Sequence, residues 1–178
     1  MKIFLIGFMG SGKTHWGRLL SAKLQLPFLD LDSVIVHREG KSVSDIFSEQ
    51  GEEYFRYLEK EVLEEMVDGQ DNFILSCGGG TPCFFNNIDF MKRNGKVIWL
   101  NTSVEALKER LLRERRSRPL IREITDEELQ RYIIRKLSER RMYYERAHAV
   151  VNEENVTLEQ LIRTLLQDGE EREEEREQ

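Results

Sequence analysis

The chain has 178 residues, 39% of them hydrophobic and 34% charged, with a formal net charge of −6. That length suits one domain with a sizeable core, and no apolar run reaches the roughly 18 residues that a membrane-spanning helix needs. The charge is uneven: residues 168–178 hold seven acids and two arginines, net −5, which leaves residues 1–167 at −1. A nearly neutral body gives no reason to expect nucleic acid or an anionic membrane as partner. The acidic tail reads as a frayed helical extension or as disordered.

Ile3-Phe4-Leu5-Ile6 is the kind of apolar run that a parallel sheet buries on both faces. It leads into Gly7-Phe8-Met9-Gly10-Ser11-Gly12-Lys13-Thr14, which fits the phosphate-binding pattern G-x-x-x-x-G-K-[ST]. Glycines there let successive N–H groups point into one concavity, and the helix that follows adds its positive end. Gly10, Ser11, Gly12, Lys13 and Thr14 are the expected nucleotide contacts. Lys13 reaches the β- and γ-phosphates, and the Thr14 hydroxyl is placed to ligate Mg²⁺. Trp16, Leu19, Leu20 and Leu24 then recur at helical spacing.

Phe28-Leu29 reads as a second strand, with Asp30 and Asp32 at its end. Residues two apart in a strand share a face, so both carboxylates are expected in one crevice, although Asp32 also suits a helix cap. From Glu52 to Val67, Phe55, Leu58, Val62 and Met66 form one helical stripe with Arg56 at its border. Phe73 to Leu75 is a third strand, and Gly78-Gly79-Gly80 follows it, allowing a ligand close to the backbone. A helix is expected over Pro82 to Arg93, with proline in its first turn. Val97 to Leu100 is a fourth strand. The next helix, Val104 to Arg113, has either Thr102 or Ser103 as its cap.

Residues 108–123 carry seven basic and three acidic side chains, net +4, and include Arg118-Pro119. Beside a phosphate loop, such a segment reads as a lid, about residues 112–125. A long charged helix over Asp126 to Glu145, a strand at Ala149 to Val151 and a helix over Leu158 to Leu166 complete the chain. Strands alternating with helices make an α/β protein: a parallel sheet flanked by helices, one domain over residues 1–167. Cys77 and Cys83 lack a metal-ligand set and are expected to be free thiols in a cytoplasmic protein, since no secretory cleavage signal follows Lys2.

Taken together, the phosphate loop, Asp30-Leu31-Asp32, Gly51-Glu52-Glu53 with Phe55-Arg56 and Glu59, the triple glycine, Arg118-Pro119-Leu120-Ile121 and Arg140 with Tyr143-Tyr144 resemble the shikimate kinase family from about Met1 to Leu166. The resemblance implies a three-layer P-loop kinase fold with a five-stranded parallel sheet and a mobile lid. It implies transfer of the ATP γ-phosphoryl group to the 3-hydroxyl of shikimate; a monomer is expected. It also implies roles. Asp30 would hold Mg²⁺ through water, and Asp32 would orient or deprotonate the attacking hydroxyl. Arg56 and Arg140 would clamp the shikimate carboxylate, with Gly78, Gly79 and Gly80 lining its pocket. Arg118 would close over the transferring group, and Arg110 is the candidate to stack on adenine. A gluconate or nucleoside monophosphate kinase is the neighbouring alternative. A GTPase switch is disfavoured because the chain has neither Asp-x-x-Gly nor [Asn/Thr]-Lys-x-Asp.

Overall fold

The computed structural model describes residues 1–114, 121 and 124–174. Five strands, β1 (Lys2–Ile6), β2 (Phe28–Asp30), β3 (Phe73–Ser76), β4 (Lys96–Asn101) and β5 (Ala149–Asn152), form one sheet in the order β2-β3-β1-β4-β5. Every adjacent pair is parallel, which requires helical crossovers between consecutive strands. Those are α1 (Lys13–Leu24), α2 (Leu31–Glu39), α3 (Val43–Gly69), α4 (Asn87–Asn94), α5 (Val104–Glu114) and α6 (Asp126–Tyr144), while α7 (Leu158–Glu174) follows the last strand and packs back on the sheet.

Strand alternation sorts β1 between the two faces. Phe4 and Ile6 join the core built with Leu31, Ile35, Phe55, Leu58, Val62 and Met91. Ile3 and Leu5 join Trp16, Leu20, Leu161 and Leu165 on the other face. A third cluster of Phe8, Leu107, Leu111, Leu129 and Ile133 ties α5 to α6. All five strands fall where the apolar runs placed them.

The helices differ from the sequence reading in four places. α2 fills a stretch to which the reading assigned no helix. α3 starts at Val43, earlier than Glu52, because Ser42 caps it by accepting from the Asp45 amide (3.1 Å); the helix then kinks at Gly51. The helix expected from Pro82 is divided. Thr81–Cys83 forms one 3₁₀ turn, Phe85 and Asn86 then adopt positive φ, and α4 begins only at Asn87. Proline tolerates that first turn, but two successive left-handed residues cannot belong to a right-handed helix. At the end of the chain, α7 runs on to Glu174, so helix continues into the acidic segment.

The capping alternatives resolve. Ser103, not Thr102, caps α5 by accepting from the Ala106 amide (3.1 Å). Thr125 and Glu128 form a reciprocal capping box on α6. No described helix is long and apolar enough to cross a membrane.

Cys77 and Cys83 are both free. Cys77 is fully enclosed, and burial drives its thiol strongly away from ionisation; burial also pushes Cys83 up to about 11. Because the thiolate is the reactive form, both should react slowly with a thiol-labelling reagent at pH 8 in the folded protein and fully after unfolding in guanidinium. Rapid labelling of Cys77 in the folded state would contradict the packing described.

Candidate active site

The chain leaves β1 toward β2 on one side of the sheet and leaves β3 toward β4 on the other. A crevice therefore opens beyond the carboxyl ends of β1 and β3, the place where open α/β sheets take their ligands. A cavity of about 690 Å³ lies there. Its walls come from the loop after β1 (Met9, Gly10, Gly12, Lys13, Thr14), from Asp30 and Asp32, from Gly78 and Gly79 after β3, and from Arg110 and Glu153.

The phosphate loop is built as its pattern requires. Gly12 has φ +84°, and a Cβ there would sit 2.8 Å from Oε1 of Glu153, so only glycine fits. The Lys13 ammonium lies back along the loop, donating to the carbonyls of Gly7 (2.9 Å) and Phe8 (2.8 Å). Ser11 does not line the cavity. Its side chain is buried and its amide donates to the Phe8 carbonyl (3.1 Å).

The aspartate pair is arranged differently from a shared strand face. β2 ends at Asp30, which N-caps α2 by accepting from the Ser33 amide (3.2 Å), while Asp32 sits in the first helical turn. The strand is only three residues long, so the helix takes over before a second alternation. Both carboxylates still face the cavity. Burial, then the negative charges of Glu59 and Asp30, raise the Asp32 pKa from 3.8 to about 6, with Lys13 and Arg56 partly offsetting them. A carboxyl poised there can exchange a proton near neutrality.

Neither Arg56, Arg140 nor Gly80 lines the cavity itself; they meet at the glycine loop beside it. A Cβ on Gly80 would lie 2.6 Å from Arg56 Nη1, and one on Gly79 would lie 3.0 Å from Arg140 Nη1. Two arginines from α3 and α6 thus pack against adjacent glycines. Both also lower the burial-raised pKa values of Cys83 and Tyr144, as neighbours of one small region must. Arg56 is buried and held by Glu59 (2.6 Å) and Glu52 (3.0 Å), with its guanidinium 4.7 Å from the Phe84 ring centroid. Arg140 lies 5.6 Å from the centroid of the Phe8 ring.

Three residues without an assigned role prove central. Glu59 is 1% exposed and its two carboxylate oxygens divide the work: Oε2 takes Arg56, and Oε1 accepts from the Thr81 hydroxyl (2.6 Å). It therefore ties α3 to the turn that follows the glycine loop. Tyr144 is buried and donates to the Gly79 carbonyl (2.6 Å). Glu153 pairs with Arg110 (2.8 Å) beside the phosphate loop. Arg118 and most of the expected lid lie outside the described residues. Among the described residues, no three His, Cys, Asp or Glu side chains cluster as a metal-binding set.

Comparison with known proteins agrees with this layout. The shikimate kinase family model matches residues 9–170. A shikimate kinase of Azobacteroides pseudotrichonymphae is 40% identical over 165 residues, covering 93% of this chain and 97% of the relative. The crystal structure of a shikimate kinase from Bacteroides thetaiotaomicron superposes with a TM-score of 0.85 at 38% identity, covering 97% and 98% of the two chains. The solved structure of shikimate kinase from Acinetobacter baumannii in complex with shikimate gives 0.80 at 34% identity, covering 93% and 90%. With a phosphate loop and paired aspartates around one cavity, two arginines packed on the glycine loop beside it, and matches spanning nearly the whole length, the chain belongs to the shikimate kinase family.

Proposed function

We propose that the chain carries out its family's reaction, transfer of the ATP γ-phosphoryl group to the 3-hydroxyl of shikimate, with the work divided among the residues around the cavity. The single observation that carries the division is the convergence of Arg56 and Arg140 on Gly79 and Gly80, next to the cavity that holds the phosphate loop and Asp32. A small hydroxylated carboxylate suits such a site. Its carboxylate meets two guanidinium forks, which offer planar, charge-assisted donors. Its hydroxyl then lies toward Asp32.

Phosphoryl transfer asks the protein for positioning and charge neutralisation more than for covalent chemistry. Asp32 orients the attacking hydroxyl and, with its raised proton affinity, accepts the proton as the new P–O bond forms. Lys13 swings from the loop carbonyls to the phosphates when they arrive. The loop amides of Gly10, Gly12, Lys13 and Thr14 cradle the phosphates, while Ser11, its hydroxyl buried and its amide bonded to the Phe8 carbonyl, holds the loop in shape. Arg118 is assigned, from the family pattern, to the lid's contact with the transferring group.

Mg²⁺ entering with ATP fits this oxygen-rich wall. Thr14 and Asp30 both face the cavity, and a nearby cation would favour the ionised Asp32 against the burial and the charges of Glu59 and Asp30 that raise its pKa. When bound, Mg²⁺ neutralises phosphate charge. The cytoplasm is the expected compartment, on the free thiols and the sequence reading.

Purified protein with ATP and Mg²⁺ should release ADP rapidly with shikimate and at background rate with gluconate or nucleoside monophosphates. Equal or faster turnover with either alternative would replace the proposed acceptor.

A further inference from the structure

On the nucleotide side of the cavity, three side chains from distant parts of the chain form a continuous series. Trp16, in the first turns of α1, donates its indole N–H to Oε1 of Glu153 (3.0 Å). Oε2 of the same carboxylate pairs with Nη2 of Arg110 on α5 (2.8 Å). Arg110 Nη1 donates in turn to the Gly10 carbonyl (3.1 Å), which returns the series to the phosphate loop. Gly12 closes the ring, since it leaves room for no more than a hydrogen against Oε1 of Glu153.

The two ends of the series differ. Trp16 is buried behind the wall, Glu153 is buried in the cavity wall, and the Arg110 side chain beside it is 33% exposed. A buried indole N–H needs an acceptor, so it holds Glu153 at a fixed depth and orientation. The carboxylate then has one oxygen left, ion-paired at 2.8 Å with a long side chain that would otherwise spread over several rotamers.

We propose that Trp16 and Glu153 are positioning residues for the nucleotide: the indole fixes the carboxylate, the carboxylate fixes the Arg110 guanidinium, and Arg110 thereby meets ATP already ordered. This rests on reading the cavity as the ATP site. Neither Trp16 nor Glu153 touches the reacting atoms. The benefit is preorganisation, because ordering Arg110 before binding removes that entropy from the cost of binding. The Glu153 charge beside a phosphate-binding loop is offset by the same guanidinium.

Trp16→Phe tests the relay without altering any charge. ADP affinity should fall by about tenfold, the scale of one hydrogen bond to a charged group at its lower limit. ADP binding is titrated calorimetrically without acceptor, so the result does not depend on the identity of the phosphorylated alcohol. In steady state the KM for ATP should rise by a similar factor and the KM for shikimate should not. Glu153→Gln keeps an acceptor for the indole but removes the ionic partner of Arg110, and should give a comparable ATP-selective defect. In an Arg110→Ala background, Trp16→Phe should change ADP affinity by less than about twofold, because the relay has no end to position.

A merely structural Trp16 would lower the melting temperature without this selectivity. ADP affinity unchanged in folded Trp16→Phe, or the same loss with and without Arg110, overturns the relay alone. Failure of the wild-type protein to bind ADP overturns the nucleotide reading and the relay with it.

Discussion

Asp32→Asn is expected to cut turnover with shikimate by about 10²–10⁴-fold, the usual contribution of a positioned general base, while making the folded protein more stable at neutral pH. The two effects share one cause. Burial, Glu59 and Asp30 make the ionised Asp32 unfavourable in the fold, raising its pKa from 3.8 to about 6. Between those values the folded state binds more protons than the unfolded state, so stability falls as pH rises through the interval. Below about pH 4 both states are protonated and nothing is lost. Above about pH 6 the full penalty applies, on the order of 2–3 kcal/mol. An asparagine carries no charge to desolvate. Urea unfolding at pH 4 and pH 8 should therefore show Asp32→Asn gaining on wild type only at the higher pH. A stability difference equal at both pH values would mean that the side chain is not held against its charged form.

The second large effect concerns the acceptor. Arg56→Ala and Arg140→Ala should each weaken shikimate binding by about 2–5 kcal/mol, or roughly 30- to 5000-fold, with ATP affinity nearly unchanged. The two variants should differ in stability. Arg56 is buried beside a nearly inaccessible Glu59, which would lose its 2.6 Å partner and keep only the Thr81 hydroxyl. Removing one member of such a pair leaves a buried charge that must be rehydrated or protonated. Thermal unfolding should accordingly show a larger drop for Arg56→Ala than for Arg140→Ala. Arg→Lys at either position should restore affinity only in part, since a single ammonium cannot present two coplanar donors.

The parts of the fold carried by local signals were legible without coordinates. Ile3 to Ile6 and Val97 to Leu100 are short, continuous, apolar runs, as strands covered on both faces must be. The phosphate loop is a local device whose geometry depends on a few adjacent residues. The misreadings come where tertiary context overrides a local pattern. Asp30 and Asp32 look like alternate strand positions, but a β2 of three residues ends at Asp30 and passes Asp32 to a helix. Pro82 looks like a helix start, but the chain turns again at Phe85 and Asn86 before α4. Glu59 and Glu153 carried no signal of their own. Each is one acid among many on charged segments, and only the approach of Thr81 or Arg110 from a distant position separates it from a surface glutamate. Glu59 did fall within the family motif, and its burial supplies the reason.

The claim on which the account turns is that one carboxylate of the acceptor is read by two arginines at the glycine loop. The most direct measurement compares shikimate with an analogue whose carboxylate is replaced by a neutral hydroxymethyl group, as the ratio of kcat/KM in wild type, Arg56→Ala and Arg140→Ala. Wild type should prefer shikimate by at least about 30-fold, and each variant should lose most of that preference. A preference of the same size in all three proteins would contradict the account, because the carboxylate would then be recognised somewhere other than between Arg56 and Arg140.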